Sequence, residues 1–556
     1  MTYFTLPLPC IDAVPERYRT GTRPVIPGAR GPRGGLCYHS CMEPILYRDT
    51  RGLDPMPRTF TDTVLQGIAP GGGLYVPERL PTMTLADILG LAKVPYAARA
   101  AAVYRAFAVD VHPEQVEHLM EQAYGTAFDH PLVAPVVEVD ADMHVLELWH
   151  GPTSAFKDMA LQCLPLFFSE AVSMRLAAGE PLDDYLVLVA TSGDTGKAAL
   201  EGFADRGHVR IAVFYPADGV SDIQRMQMVT QTGMNVAVFG VRGNFDDCQT
   251  AVKSAFADAS FAEVLHGVHG LRLSSANSIN WGRLLPQIVY YASAYADMVA
   301  DGGVLPGEPI DVCVPTGNFG NILAGYYAKA MGVPIDRLIC ASNENRVLAD
   351  FLATGAYDIS SRAFVTTPSP SMDILVSSNL ERLLFELTHD PEAVRRWQTS
   401  LADNGRFLVD RATFAGMREH FAGDWVSNDE ALDTIRRVWQ DHGYLLDPHT
   451  AVAWEVAERM RAENPVLVVS TAHWAKFGVD VYKALEGLDY AASLPAKAAA
   501  LSGVELLHAI EELAPGATPA PRSLSGLEGL PERFTAVVDS KRDDIEDAIE
   551  GWLRDA

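Results

Sequence analysis

Residues 150–158 read HGPTSAFKD and place one lysine, Lys157, after a strand-like run at 142–149 and before an apolar segment that starts at Met159. A cation at the start of a helix opposes the helix dipole, so this position disfavours a purely structural lysine. Partial burial there would lower the pKa of the amine and make it a nucleophile. The residues alone fit both a catalytic lysine and a surface lysine at a helix start.

Strand-like and helical patterns alternate from residue 142 onward. The strand-like runs are 142–149, 185–191, 210–215, 235–241, 309–315, 337–342 and 466–470. The helical patterns between them include 197–206, 221–232, 246–258, 280–299 and 321–331. Continuous apolar strands that alternate with helices predict an α/β fold with a mainly parallel sheet covered by helices.

The chain is expected to contain several regions, because 556 residues exceed the size of one compact domain. Residues 1–41 combine clustered Pro, Gly and Arg with little periodicity, which predicts a disordered extension. The other predicted regions are an N-terminal domain at 42–140 with mainly helical patterns, a catalytic region at 141–490 with a helical insertion at 345–450, and a C-terminal helical segment at 491–556.

Composition and charge exclude several classes of protein. The net charge of −27 argues against a nucleic-acid partner, whose phosphates require a basic surface. No apolar run is long enough to cross a bilayer, and the N-terminus lacks the pattern of a secretory signal. The seven cysteines are widely spaced and form no paired C-x-x-C sets that would indicate a metal or redox centre. These features predict a cytoplasmic enzyme with reduced thiols and no bound metal.

Two turns between a strand and a helix have the composition of anion-binding loops. TSGDTGK (191–197) can direct backbone N–H groups and hydroxyls at an anion. It is not a nucleotide P-loop, which needs glycine at Thr191 and Ser or Thr at Ala198; a simple helix cap is the alternative. In PTGNFGN (315–321), two glycines allow the backbone to approach a phosphate closely.

The segment ANSINWGR (276–283) offers a site for a second phosphate. Asn277 and Ser278 precede a helical pattern, and Arg283 lies about a turn and a half later. Arginine binds phosphate in a bidentate manner, and the amide and hydroxyl can complete the site. A helix cap followed by an exposed arginine fits the same residues.

The segment STAHWAKF (470–477) follows the last strand-like run. Thr471 could hydrogen-bond a buried ring nitrogen, or it could bond only its local backbone. We interpret His473 as a local structural residue rather than a general base.

These motifs, in this order, closely resemble those of threonine synthases. The resemblance runs from about Tyr47 to the C-terminus, and the insertion is similar to that of the longer subclass found in fungi and many bacteria. Other segments that carry it are residues 60–81, PSPSMDI (368–374), SSNLER (377–382) and LDPHTA (446–451). The resemblance implies the pyridoxal-phosphate-dependent fold type II, which is tryptophan-synthase-β-like, with parallel-rich sheets and a helical N-terminal domain.

The resemblance implies roles toward a cofactor, pyridoxal 5'-phosphate. Lys157 would form a Schiff base with it and then shuttle protons. Thr471 would contact the pyridine nitrogen, Phe156 would pack near the ring, and Asp194 would lie near the ring hydroxyl. The residues implied to surround the cofactor phosphate are Gly317, Asn318, Phe319, Gly320 and Asn321.

The resemblance also implies a substrate and a reaction, the conversion of O-phospho-L-homoserine and water to L-threonine and phosphate by γ-elimination and β-hydration. This is the last step of threonine biosynthesis. The protein would be a monomer or a homodimer. The residues implied to bind the substrate are Ser192, Gly193 and Thr195 for its carboxylate and Asn277, Ser278 and Arg283 for its phosphate.

Other functions are alternatives for the same motifs, and no sequence feature separates the first of them from the synthase. A phospho-lyase that releases 2-oxobutyrate could use the same lysine and phosphate site. A serine or threonine dehydratase, or a cysteine synthase, would not need the phosphate-binding cluster at 276–283. A non-catalytic binding protein on a retained fold would be expected to have lost Lys157 or a phosphate loop, and neither is lost.

Removal of residues 1–41 is expected to leave the melting temperature and the activity unchanged, because the segment cannot bury enough surface to fold alone. Translation from Met42 would explain its composition, and a transit peptide is the alternative, since the segment has Arg and few acidic residues. Thermal unfolding and turnover of the shortened and full-length proteins test this expectation. A clear loss of either property would contradict it.

Overall fold

The computed structural model describes residues 43–180 and 183–555, except for the side chain of Asp246. The predicted disordered extension at 1–41 lies outside these residues and stays a prediction. Among the described helices, none combines the length and the apolar character that crossing a bilayer requires.

The described residues form fifteen strands. They are β1 (Tyr47–Asp49), β2 (Tyr75–Pro77), β3 (Val136–Asp140), β4 (Met143–Glu147), β5 (Asp184–Ala190), β6 (Val209–Pro216), β7 (Val236–Val241), β8 (Leu271–Ser274), β9 (Ile310–Pro315), β10 (Ile335–Ser342), β11 (Ala356–Asp358), β12 (Arg406–Leu408), β13 (Phe421–Trp425), β14 (Val466–Ser470) and β15 (Val537–Val538).

The helices of the described residues begin in the N-terminal region and alternate with the strands. They are α1 (Phe60–Gln66), α2 (Leu85–Leu91), α3 (Tyr96–Ala106), α4 (Pro113–Tyr124), α5 (Asp158–Leu161), α6 (Leu164–Ala177), α7 (Asp194–Phe203), α8 (Asp222–Val229), α9 (Phe245–Ala257), α10 (Ala259–His269), α11 (Trp281–Ala300), α12 (Gly320–Met331), α13 (Val347–Thr354), α14 (Leu380–Thr388), α15 (Pro391–Asn404), α16 (Arg411–His420), α17 (Asn428–His442), α18 (Pro448–Met460), α19 (Gly478–Glu486), α20 (Ala496–Ala499), α21 (Gly503–Leu513), α22 (Arg522–Ser525) and α23 (Arg542–Asp555).

The strands form two main sheets. The six-stranded sheet has the order β13-β10-β9-β14-β4-β3, in which only the β3–β4 pair is antiparallel. The five-stranded sheet has the order β15-β7-β6-β5-β8, and all its pairs are parallel. Two small antiparallel pairs, β1-β2 and β11-β12, lie apart from them. The prediction of parallel-rich sheets in an α/β fold is confirmed.

The central strands are buried on both faces. Every residue of β4, β9 and β14 is buried. Successive side chains of a strand point to opposite faces, so uninterrupted burial requires cover on both sides of the sheet. The seven strands and five helices predicted from the sequence are all present, as β4, β5, β6, β7, β9, β10 and β14 and as α7, α8, α9, α11 and α12.

The insertion at 345–450 is mostly helical, but it also contributes β13 to the edge of the six-stranded sheet. Strand β13 pairs in parallel with β10, from Phe421 beside Leu338 to Trp425 beside Ser342. Its sequence, FAGDW, contains glycine and aspartate, and only Phe421 is fully buried. A continuous apolar run therefore does not mark this strand. The short strand β8 was missed for the same reason, since Arg272 is exposed within it.

Aromatic packing attaches the N-terminal helices to the catalytic region. Phe60 of α1 and Tyr104 of α3 both contact Phe167 of α6, with ring centroids 5.5 and 4.9 Å away. Trp281, at the start of α11, lies 5.4 Å from the ring of Tyr47. Such pairs contribute roughly 0.5–1.5 kcal/mol each beyond the burial of area. Helix α6 follows Lys157 closely in the sequence, so this aromatic packing also supports the segment that carries the lysine.

Gly202 allows helices α5 and α7 to approach closely. A methyl group added at Gly202 would lie 1.9 Å from the carbonyl oxygen of Leu161 in α5. Helix α5 directly follows Lys157, and helix α7 begins at Asp194. The close approach of the two helices therefore sets the spacing between the side chains of Lys157 and Asp194.

The substitution Gly202→Ala is expected to lower the midpoint of denaturant unfolding, because overpacking of a buried contact costs about 1–3 kcal/mol. Gly267→Ala is the matched control, since Gly267 also lies inside a helix but an added methyl group would meet no atom within 4 Å. That control is expected to gain roughly 0.5–1 kcal/mol from better helix propensity. Circular dichroism in a denaturant series measures both changes. A Gly202→Ala midpoint equal to that of the parent would contradict the close packing.

Candidate active site

Loops after five parallel strands, β4, β5, β8, β9 and β14, meet around one cavity. Binding sites of open parallel sheets form at such carboxyl ends. The residues predicted from the sequence that line this cavity are Phe156, Lys157, Ser192, Thr195, Asn277, Ser278, Arg283, Gly317, Asn318, Phe319, Gly320, Asn321 and Thr471.

The lysine segment is held against the end of β14. The backbone N–H of Phe156 donates to the carbonyl oxygen of Thr471 at 2.8 Å, and the N–H of His473 donates to the carbonyl oxygen of Ser154 at 3.1 Å. These bonds flank an antiparallel bridge between Ala155 and Ala472. The backbone position of the next residue, Lys157, is therefore fixed relative to the six-stranded sheet.

The amine of Lys157 is buried between two polar partners, and its side chain is only 8% exposed. The Nζ atom donates to Ser371 Oγ at 3.0 Å and contacts Asp194 Oδ2 at 3.4 Å. Burial lowers the pKa of Lys157 to about 8, with Asp194 opposing the shift and the cations Arg283 and Lys476 adding to it. A substantial fraction of the amine is then neutral near physiological pH and able to act as a nucleophile.

Asp194 contacts the amine of Lys157 but does not itself line the cavity. Its Oδ1 accepts a hydrogen bond from Gln224 Nε2 at 2.8 Å and lies 2.9 Å from Lys476 Nζ. Burial opposes ionisation, but the two lysines and the amide outweigh it and hold the pKa of Asp194 well below its usual range. Gly193 also lies behind the lining, because a Cβ there would meet the Gln224 side chain at 2.5 Å.

The glycine-rich loop after β9 forms a cradle for an anion. A Cβ at Gly317 would lie 2.8 Å from the carbonyl oxygen of Ser371, so only glycine fits there. Phe319 adopts a left-handed conformation, with φ +63°, immediately before α12 begins. Such a conformation is uncommon for a non-glycine residue and is concentrated at functional sites. The first N–H groups of α12 have no partner within the helix and can bind a phosphate.

Asn321 carries a buried donor that has no partner. Its Oδ1 accepts hydrogen bonds from the hydroxyls of Tyr290 and Tyr291, both at 2.6 Å. This orients Nδ2 as the remaining group, and Nδ2 has no acceptor within the described part of the chain. Buried donors are normally satisfied, so this amide points to a ligand in the cavity. With the glycine cradle and the buried amine of Lys157, it fits a cofactor that carries a phosphate and an aldehyde.

Arg283 contributes a second cationic side chain to the lining of the cavity, in addition to Lys157. Its guanidinium donates to the carbonyl oxygen of Ala276 at 3.0 Å and to Thr195 Oγ1 at 3.4 Å. Burial lowers the pKa of Arg283 to about 10, so the group stays charged at neutral pH. The contact with Thr195 brings two predicted anion-binding motifs together, although they follow different strands.

Ser371 and His449 are among the lining residues of the cavity that sequence reasoning missed. Ser371 is the hydroxyl partner of the Lys157 amine, and its backbone N–H donates to His449 Nε2 at 3.1 Å. His449 Nδ1 in turn lies 2.8 Å from Asp447 Oδ1. Their segments, PSPSMDI and LDPHTA, carried the family resemblance, but no local pattern indicated contact with the lysine.

Helix α9 contributes a further wall that the sequence did not indicate. Phe245, Gln249 and Lys253 line the cavity from this helix. They recur every four residues, which places them on one helical face. Only the presence of a polar and a charged residue on that face could have suggested such a position.

His473 is a local structural residue, as the sequence suggested. Its Nδ1 accepts the backbone N–H of Ala475 at 3.2 Å, which caps the short 3-10 turn Trp474–Phe477. Burial, with smaller electrostatic contributions from His150 and Lys476, lowers the pKa of His473 to about 3, so the ring is neutral. It does not line the cavity.

Three family models match consecutive parts of the chain. The threonine synthase N-terminus model matches residues 46–124, the pyridoxal-phosphate dependent enzyme model matches residues 133–472, and the threonine synthase C-terminal model matches residues 450–549.

Two curated relatives are similar over most of the chain. Threonine synthase-like 1 of Macaca fascicularis is 43% identical over 437 residues, which are 77% of this chain and 58% of that protein. The chain thus spans less than two thirds of that relative. Threonine synthase of Pseudomonas aeruginosa is 40% identical over 459 residues, which are 82% of this chain and 93% of that protein.

Solved structures of threonine synthases have the same fold. The pyridoxal-phosphate-bound enzyme from Brucella melitensis superposes with a TM-score of 0.77 at 36% identity and covers 92% of this chain and 100% of its own. The yeast enzyme superposes with a TM-score of 0.79 at 33% identity and covers 92% and 99%. The chain therefore belongs to the threonine synthase family of pyridoxal-phosphate-dependent enzymes, and its cofactor is pyridoxal 5'-phosphate.

Proposed function

We propose that this enzyme converts O-phospho-L-homoserine and water to L-threonine and phosphate, by γ-elimination followed by β-hydration. One observation carries the proposal: the buried amine of Lys157 shares a cavity with two separate sets of anion-binding residues. The cofactor has one phosphate, and this substrate has a phosphate and a carboxylate. A dehydratase or cysteine synthase acting on an unphosphorylated amino acid would have no use for the second phosphate site.

The cofactor is held by residues from both sides of the cavity. When bound, pyridoxal 5'-phosphate supplies an electron-accepting ring that stabilises negative charge at the substrate Cα. Lys157 would bind its aldehyde, and the loop from Gly317 to Asn321 would bind its phosphate through N–H groups and the Asn321 amide. Thr471 would contact the pyridine nitrogen, and Phe156 would pack near the ring. Asp194 contacts the amine of Lys157 at 3.4 Å.

The substrate occupies the part of the cavity next to the five-stranded sheet. Ser192 and Thr195, which line the cavity next to the start of α7, bind its carboxylate. Arg283, with Asn277 and Ser278, binds its phosphate and stabilises the charge that grows as phosphate leaves.

Lys157 is the base for the proton at the substrate Cα. Its amine accepts that proton when neutral, and a pKa of about 8 makes the neutral form available. Ser371 and Asp194 then hold the resulting ammonium at 3.0 and 3.4 Å, ready to return the proton. A second proton is then removed from Cβ as phosphate leaves from Cγ, and two protons are returned, one to Cγ and one to Cα. Water supplies the hydroxyl group at Cβ, and its remaining proton goes to the released phosphate.

The cytoplasmic location and the monomeric or dimeric state remain proposals. Cys163, Cys248, Cys313 and Cys340 are buried free thiols, which supports a reducing compartment. Threonine biosynthesis is the corresponding pathway, with this reaction as its last step.

Product analysis after incubation of the cofactor-loaded enzyme with O-phospho-L-homoserine tests the function. We expect equal amounts of threonine and phosphate. Phosphate with 2-oxobutyrate would instead identify a phospho-lyase, and the absence of both products would refute the substrate. Lys157→Ala is the control, and it should lose both turnover and the visible absorbance of the covalently bound cofactor.

The substitution Arg283→Lys is expected to raise the KM for O-phospho-L-homoserine and to lower kcat/KM by roughly 10- to 100-fold, because charge-assisted hydrogen bonds contribute about 1.5–3 kcal/mol. Arg272→Lys is the matched control, since Arg272 is an exposed arginine on the strand that leads to the same motif. Steady-state kinetics of both variants measure the effect. Unchanged kinetics in Arg283→Lys would remove this residue from the phosphate site.

A further inference from the structure

Two buried lysines share the single carboxylate of Asp194. Lys157 Nζ lies 3.4 Å from Oδ2, and Lys476 Nζ lies 2.9 Å from Oδ1. The Asp194 side chain is 2% exposed and the Lys476 side chain is fully buried. The carboxylate is thus bonded on both oxygens by cations from different parts of the chain.

Lys476 is fixed by contacts that do not involve the cavity. Its Nζ also donates to the carbonyl oxygen of Thr153 at 2.7 Å, and its own carbonyl oxygen accepts from Ser221 Oγ at 2.9 Å. It lies in the 3-10 turn before α19 and does not line the cavity. Lys476 is therefore a positioning residue, which affects the reaction through Asp194 and through its charge on the Lys157 amine.

The charge of Lys157 changes during the proposed reaction, so Lys157 does not compensate the charge of Asp194 at every stage. Lys476 is the second lysine that contacts this carboxylate. Covalent binding of the cofactor removes Lys157 as a free ammonium, and acceptance of a proton restores it. A buried carboxylate left without a cation is strongly disfavoured. We propose that Lys476 is a permanent counterion of Asp194, which keeps this carboxylate ionised through every charge state of Lys157. The inference rests on the proposed role of Lys157 as the cofactor-binding residue.

The same arrangement affects the pKa of the Lys157 amine. Lys476 is a like charge near Lys157, and like charges favour the neutral form of an amine. Removal of Lys476 should therefore raise the pKa of Lys157, because Asp194 would then act on Lys157 alone. Other titratable groups also interact electrostatically with Lys157, Asp194 or Lys476. They are Asp158, Arg283, His449 and His473.

The test follows covalent binding of pyridoxal 5'-phosphate to the apoenzyme, from about pH 6.5 to about pH 10.5, so that the plateau is reached even if the midpoint rises by one unit. The rate constant, read from the visible absorbance, should rise with deprotonation of Lys157, and Lys157→Ala gives the baseline. In Lys476→Gln, we expect the midpoint to move up by roughly one pH unit, which lowers the rate about tenfold below the midpoint and leaves the high-pH plateau unchanged.

Two matched variants separate charge from shape. Lys476→Arg keeps the cation and should keep the midpoint, and Lys93→Gln removes an exposed lysine and should have no effect. A folded Lys476→Gln with the midpoint of the parent would overturn the inference. An equal shift in Lys476→Arg would overturn it too, because the cause would then be altered packing.

A double variant covers the case in which Lys476→Gln does not fold. Asp194→Asn combined with Lys476→Gln removes both buried charges, so it should fold and bind the cofactor with a midpoint below that of the parent. Failure of the double variant to fold would show that Lys476 is needed for something other than Asp194. The rate of cofactor binding is measured without substrate, so failure of the enzyme to form threonine would not contradict the inference about Lys476. A parent rate equal to the Lys157→Ala baseline would overturn both this inference and the proposed role of Lys157.

Discussion

The burial of the Lys157 amine is the constraint on which the rest of the site depends. A lysine removed from water favours its neutral form, and its charged form is tolerated only beside fixed polar partners. Those partners are Asp194, from the loop after β5, and Ser371, from the inserted region. Asp194 is itself buried and is compensated by Lys476, which follows β14. The buried amine therefore depends on both sheets and on the insertion, because displacement of either sheet would separate buried charges and displacement of the insertion would remove the Ser371 hydroxyl.

The cavity is locally cationic in a protein whose net charge is −27. Lys157, Lys476 and Arg283 lie close together, and Asp194 compensates only part of their charge. Interactions in a buried site are strong, whereas exposed charges at a distance are screened by water and salt. The overall charge therefore argues against a nucleic-acid partner without preventing the binding of a small dianionic substrate. Burial is the main cause of the lowered pKa of Lys157, and the cations Arg283 and Lys476 add to it. The cations that favour the binding of anions therefore also favour the neutral form of this amine.

The predictability of each part from the sequence depends on how local its cause is. The central strands and the loops after them could be predicted, because continuous apolar runs and glycine-rich turns are local patterns. Strand β13 could not, because it forms the edge of a sheet and lacks such a run. Ser371 and His449 reach the site only through the packing of distant segments. Lys476 lies within the predicted motif STAHWAKF, but its hydrogen-bond partner Thr153 is 323 residues earlier, so nothing nearby in sequence indicates its role.

The region at 345–450 contributes several residues to the site. Ser371 contacts the Lys157 amine, and Ser377 Oγ donates to the carbonyl oxygen of Gly317 at 2.6 Å, which holds the anion-binding loop. Burial is the largest cause of the lowered pKa of Lys157, and this region forms part of the cover that excludes water. Without that cover the pKa of the amine would return toward that of an exposed lysine, and its neutral fraction near physiological pH would fall. The insertion is therefore part of the catalytic unit rather than an appended domain, because the reactivity of the lysine depends on it.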